Sequence, residues 1–190
     1  MSGTLLFFSG CAALFGWDIH APGLLSEDFS RAVQPIEKRV ALYVDPNLLT
    51  YESKERGGKT ADPQTYHVGE AFGPMMVEGF QDAFSEFIFL ETQPTPQILR
   101  RYGITCAVAV RLKDFGNQVS WKGQAILLAT EVVLFDGDLQ ELDRFEATGT
   151  SDARKVFAKK GGPEVNLNAA IESNVQASVH HLQDFLRTKT

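Results

Sequence analysis

Few side chains in this sequence are spaced for chemistry, and each such group has a plain structural reading beside the chemical one. The histidines are His20, His67, His180 and His181. His180 and Asp184 lie one helical turn apart, a spacing that can share a metal, but two ligands fall short of the four a structural zinc site takes. They read as a solvated helix face. Asp136-Gly137-Asp138 starts like a calcium loop and lacks the later ligands and the terminal Glu, so it reads as a turn. Gly57-Gly58-Lys59-Thr60 has the tail of a phosphate loop without its first glycine, and it does not join a clear strand to a helix. Gly-x-Ser-x-Gly and the dinucleotide fingerprint are both missing from the sequence. Ser, Cys and His are not grouped as a nucleophile with its base. The expectation is a protein without catalytic residues, cofactor or metal site.

Two cysteines occur. Cys106 sits inside the strand-like run Ile104 to Val110 and reads as core. Cys11 closes a short apolar run, Leu5-Leu6-Phe7-Phe8, after the small residues Ser9 and Gly10. Its plain reading is a packed cysteine in a buried N-terminal segment, since a free thiol behaves as a small hydrophobe. Its chemical reading is an acylation point.

Composition narrows the class. At 190 residues the chain suits one domain with a tail. Hydrophobic residues make up 44 %, enough to close a core, and no window reaches the ~18–20 unbroken apolar residues of a spanning helix. The formal charge of -6 and the lack of a basic stripe argue against nucleic acid as a partner. Arg154-Lys155 and Lys159-Lys160 form a local basic patch or a solvated loop.

The elements follow from periodicity. Residues 12–38, broken by Gly16, Pro22, Gly23 and Pro35, read as a tether or as an extended arm across the domain, with Trp17, Phe29 and Ile36 as pins. Arg39 to Asp45 is the first strand. Leu48 to Gln64 is polar and reads as a long exposed loop. Val68 to Phe87 reads as a helix whose stripe of Val68, Phe72, Met76, Phe80, Phe84 and Phe87 lies on one face. Gly73-Pro74 either starts or kinks it. That stripe packs on a sheet or lines an apolar groove for a lipid or small molecule, in which case Phe72, Met76, Phe80 and Phe84 are the groove residues. Phe87 to Glu91 is a short strand, and Gln97 to Tyr102 a helical turn closed by Gly103.

Three strands then form an antiparallel meander. The first starts at Ile104 and turns at Lys113 to Asn117. The second is a long run from Val119 to Phe135 whose apolar parity switches, which implies a bulge near Gly123 to Ala125 or a strand that outgrows its sheet. A type I′ turn at Asp136-Gly137 leads to the third, Leu139 to Thr150. A closing helix runs from Glu164 or Leu167 to Leu186 on the stripe Leu167, Ile171, Val175, Val179, Leu182 and Leu186, with Asn166 or Asn168 as cap. The fold class is α+β: two layers, a mixed or mainly antiparallel sheet with a long meander, and two helices on one face. The divisions are residues 1–11, 12–38 and a single domain over 39–190.

Phe8-Ser9-Gly10-Cys11 resembles a lipobox, the site at which a lipoprotein signal ends on an acylated cysteine. It departs from the usual pattern in Phe8, and in having no Lys or Arg ahead of it. The apolar run is also short, as it would be if the start codon were placed too far downstream or the chain were trimmed. With the element order, the whole resembles small envelope lipoproteins of Gram-negative bacteria. The nearest is the lipopolysaccharide-assembly lipoprotein of the outer membrane, and the YajG-type lipoproteins and the N-terminal domain of the TolB-type periplasmic proteins also look similar. The resemblance implies a partial signal over residues 1–11, lipidation of Cys11, and a membrane-anchored domain without an active site. That domain would support an envelope assembly or transport machine through a protein partner. Ala12, where inner-membrane retention uses Asp, implies the outer membrane, with the domain facing the periplasm. The alternative is a periplasmic lipid or small-molecule binder using the groove beside the 68–87 helix. Oligomeric state, homo-oligomer included, stays open.

Overall fold

The computed structural model describes residues 16–56, 63–120, 123–151 and 162–188. Its centre is β2 (Ile36–Val44), whose last five residues, Val40 to Val44, are all buried. A continuous apolar run of this kind suits a strand covered on both faces. Val40, Leu42 and Val44 enter the main core, while Ala41 and Tyr43 enter a smaller cluster on the other side. This is the period-two alternation of a strand.

β2 is flanked by two parallel neighbours, β5 (Phe84–Leu90) and β6 (Cys106–Ser120). β6 continues antiparallel into β7 (Gly123–Asp136), and β7 into β8 (Glu141–Thr150). The five-stranded sheet therefore runs β5-β2-β6-β7-β8. A second sheet, β1-β4-β3, is built from β1 (Trp17–Ile19), β3 (Glu52–Arg56) and β4 (Pro63–His67). One face of the large sheet carries α3 (Val68–Ala83) and α5 (Pro163–Thr188), which also pack on each other. Three short helices complete the fold: α1 (Glu27–Ala32), α2 (Pro46–Leu49) and α4 (Pro96–Arg101). The α+β class, the mixed sheet, the meander and the two packed helices are as the sequence implies.

Several local expectations are corrected. The polar loop over 48–64 contains α2 and two antiparallel strands, β3 and β4. Their residues are too polar to show a buried face, and only Ser53 and Tyr66 are shielded. The Phe/Met helix begins at Val68, runs through Pro74 and stops at Ala83; Phe84 already has the extended backbone of β5. Phe84 and Phe87 keep helical spacing from Phe80 and do meet its ring, at 5.2 and 5.9 Å between centroids. They reach it from a strand because pairing with β2 sets the backbone there. Lys113 to Asn117 is not a turn but lies within β6, which bulges between Leu112 and Asp114. The change of apolar parity near Gly123 reflects the end of β6 at Ser120 and the reversal into β7. At the next reversal Leu139, with φ 61°, takes the left-handed conformation in place of a type I′ Asp-Gly pair. Asp136 steadies that turn by accepting from the amides of Asp138 and Gln140 at 2.9 and 2.8 Å.

Asn166 and Asn168 are not caps. α5 carries four side-chain amides that reach other elements. Asn166 donates to the Gln124 carbonyl at 2.9 Å. Asn168 accepts from the Gly23 amide at 3.0 Å and donates to the Leu24 carbonyl at 2.9 Å. Asn174 donates to the Leu128 and Ala147 carbonyls and accepts from the Thr130 hydroxyl. Gln183 donates to Gln34 and Ala83 carbonyls, both at 2.9 Å. Residues 16–35 thus lie on the domain: Ile19, Phe29 and Val33 are part of its main core.

The approach of α5 to β8 depends on Gly149, where an added Cβ would sit 2.1 Å from the Ala170 carbonyl oxygen and 2.4 Å from the Asn174 amide. Both obstacles are backbone, so neither can swing aside. Gly149→Ala is expected to lower stability by about 2–3 kcal/mol, read as a lower urea midpoint by circular dichroism. An unchanged midpoint would contradict this packing.

Candidate functional site

The four proposed groove residues are accounted for by packing. Phe72, Met76 and Phe80 are fully enclosed and Phe84 is 2 % exposed, all within the main core between α3 and the sheet. Cys11 and the Arg154-Lys155 and Lys159-Lys160 patch lie outside the described residues. Among the described residues, His180 and Asp184 do not converge with a third ligand; Asp184 pairs instead with Arg187 at 3.6 Å. His181 Nε2 donates to the Asp143 carboxylate, 2.7 Å away, with its ring stacked on Phe145. Cys106 is a buried free thiol whose ionisation burial pushes up, which leaves it unreactive.

Two surface features remain. The first is the face of the large sheet turned away from α3 and α5. Short α4 covers its β5 side through Leu99, which packs with Ala41, Tyr43 and Leu90. Beyond α4 lies a depression of about 240 Å³ bordered by Tyr43, Val133 and Phe135 and by Arg111, Glu131 and Arg144. The register builds its charges: Arg111 stands directly opposite Glu131, and Arg144 opposite Val133. Glu131 accepts from Arg111 at 2.7 Å and from Arg144 at 2.5 Å, and Arg144 also holds Glu141 at 2.5 Å. The Arg111 guanidinium, opposed by partial desolvation and helped by Arg144, holds the Glu131 carboxyl below the usual glutamate range.

The second feature joins residues that are distant in sequence. His20 follows β1, His67 ends β4, and Glu70 lies in the first turn of α3. One ligand atom from each falls within 4.8 Å of the others. The imidazoles of His20 and His67 stack at 4.1 Å with planes 7° apart. His20 Nδ1 lies 2.7 Å from Glu70, and His67 Nδ1 lies 3.0 Å from Glu52 on β3. His67 Nε2 is buried without a hydrogen-bond partner, and the nearest charge to it is Asp18 of β1 at 3.6 Å. Sequence reasoning missed this group because His20 is 47 residues from His67. The signal that was present is His67-x-x-Glu70, one turn of helix.

A third set of polar residues ties the β6–β7 hairpin to the small sheet. The Tyr66 hydroxyl donates to Gln64 and accepts from Asn117, and Gln124 joins the same network. Desolvation raises the Tyr66 phenol above its ordinary value, with Gln124 opposing. A phenol held neutral in this way is structural.

The fold and these features define a class: a two-layer α+β domain with a mixed five-stranded sheet and a helix pair on one face. Solved structures share it. The DUF330 protein XCC0632 of Xanthomonas campestris aligns over 91 % of this chain and 95 % of its own, at 10 % identity and a TM-score of 0.57. Protein CT253 of Chlamydia trachomatis aligns over 80 % of this chain and 99 % of its own, at 9 % identity and 0.51. Lipoprotein GNA1162 of Neisseria meningitidis, at 9 % identity, 77 % and 99 % coverage and 0.38, is too distant to carry an argument. At these identities the likeness is one of fold. No protein-family model matches the chain, and no curated protein matches it in sequence.

The Glu131 cluster has a pH signature. A carboxyl lowered in the folded state stabilises it above the unfolded value, about 4.3, and loses that contribution as pH falls through the lower folded value. Glu131→Gln is expected to cost about 0.5–1 kcal/mol at pH 7, and the gap from wild type should close towards pH 3 in urea titrations. A gap that is constant with pH would contradict the pairing.

Proposed function

We propose that this chain is a lipid-anchored, non-catalytic protein of the bacterial envelope, which holds a binding domain beside the membrane in support of an assembly or transport machine. The observation that carries the reading is the short distance along the chain between the lipobox-like cysteine and the first strand fixed in the domain. Cys11 is six residues before Trp17, where β1 begins. Six residues span at most about 20 Å. β1 pairs in parallel with β4, and Ile19 is 1 % exposed in the core. An acyl group on Cys11 would therefore keep the folded domain within one domain's width of the bilayer.

Stable anchoring takes more than one acyl chain, since each buried CH₂ contributes only about 0.8 kcal/mol. A diacylglyceryl cysteine with a further N-acyl chain meets that need. Ala12 in place of Asp favours the outer membrane, with the domain in the periplasm. The partner in this reading is a protein. The helix face of the large sheet is filled by α3 and α5, so a partner meets the domain elsewhere on its surface.

Radiolabelled palmitate supplied to the native host tests the anchor, with expression from the native gene. Label is expected on the wild type and absent from Cys11→Ser, and the wild type should fractionate with membranes. Absence of label from both proteins would refute the lipid anchor.

A further inference from the structure

We propose that His20, His67 and Glu70, with Asp18 beside them, form a binding site for a divalent transition-metal cation of the zinc class. The argument starts from His67, whose side chain is only 20 % exposed and is held by β4. Its Nδ1 faces the Glu52 carboxylate at 3.0 Å, so in the neutral ring Nδ1 carries the hydrogen. Nε2 is then a bare lone pair. It is buried, no donor among the described residues reaches it, and a second acceptor, Asp18 Oδ1, lies 3.6 Å away. Two acceptors facing each other across a gap of that size lack a cation between them. A carboxylate behind the far nitrogen is also how proteins orient a metal-binding histidine and raise its basicity.

Two further ligand atoms come near His67. His20 and Glu70 each bring one atom within 4.8 Å of the His67 ligand atom and of each other. Metal–nitrogen and metal–oxygen bonds of about 2.0–2.2 Å require a closer approach than that. His20 and Glu70 side chains are 54 % and 62 % exposed and free to make it by rotation, while His67 stays fixed. The charges agree. Among the described residues, the ion-pair partners of Asp18, Glu52 and Glu70 are these two histidines, so three carboxylates surround two imidazoles. A divalent cation offsets most of that negative charge. Two imidazoles with carboxylate suit zinc and its neighbours, whereas calcium and magnesium prefer oxygen alone.

The ligands come from β1 and the residue after it, from β4 and from α3. A bound cation would therefore reinforce the β1–β4 pairing that already fastens the 16–20 segment to the domain.

The test uses the full chain carrying Cys11→Ser, without an affinity tag and stripped with chelator, titrated with Zn²⁺ by calorimetry and by thermal unfolding. Saturable binding of one Zn²⁺ per chain and a raised unfolding midpoint are expected. Co²⁺ should give a visible absorption band. His20→Ala and Glu70→Gln change exposed side chains, so both should fold and bind Zn²⁺ at least ~10-fold more weakly. His181→Ala, at one of the two histidines outside the cluster, should bind as before, and Ca²⁺ or Mg²⁺ should leave the midpoint unmoved. Absence of saturable Zn²⁺ binding would overturn the proposal, with a proton as the only cation the gap takes up. Undiminished binding in His20→Ala, or binding lost in His181→Ala, would overturn it equally.

Discussion

The structure depends on how α5 is seated. Its apolar stripe lies in the main core, and Leu167, Ile171, Val175, Val179 and Leu182 are fully enclosed. Burial of that stripe supplies the driving force, at about 1.5–3 kcal/mol for each large side chain. Location is set by the polar residues interleaved with it. Each buried amide on α5 donates to a backbone carbonyl of another segment, and a buried amide left without such a partner costs about 1–3 kcal/mol. Asn174 spans β7 and β8, Gln183 closes the end of α3 against the entry to β2, and Asn168 holds the chain at Gly23 and Leu24. A helix held by shape alone could slide by a turn. One held by amides at both ends and in the middle has a single register.

That seating joins the two ends of the chain. The Asn168 amide and Phe29, buried among the core residues, keep the N-terminal segment on the domain, so a pull at residue 17 is a pull on the whole fold. The same geometry brings His20 against His67 and Glu70, because β1 pairs with β4 and α3 follows β4 directly. The open face of the large sheet is organised separately, by cross-strand register, with Arg111, Glu131 and Arg144 placed by β6, β7 and β8.

The parts legible in the sequence were those whose burial has a period. β2 shows as an apolar run, the meander as alternation, and α5 as a stripe of aliphatic residues at spacings of three and four. The parts that were not legible have mixed or competing signals. Phe80, Phe84 and Phe87 share a helical spacing and a common cluster, yet strand pairing claims the last two. β3 and β4 are polar because most of their side chains meet water, so no pattern marks them. Asn166 and Asn168 sit where caps belong, and their amides instead reach carbonyls on β7 and in the chain before α1. The histidine cluster joins β1, β4 and α3, and only the fold makes those segments neighbours.

The central claim is that the N-terminal segment is a fixed part of the domain and not a free tether. Hydrogen exchange of the peptides covering residues 16–35 tests it most directly. The account predicts slow exchange at the amides of Gly23, Leu25, Phe29 and Val33, which donate to Asn168, Glu78, Ser26 and Phe29. Protection there should approach that of β2 and fall when Asn168 is replaced by Ala. Exchange at the rate of an unstructured peptide in the wild type would contradict it.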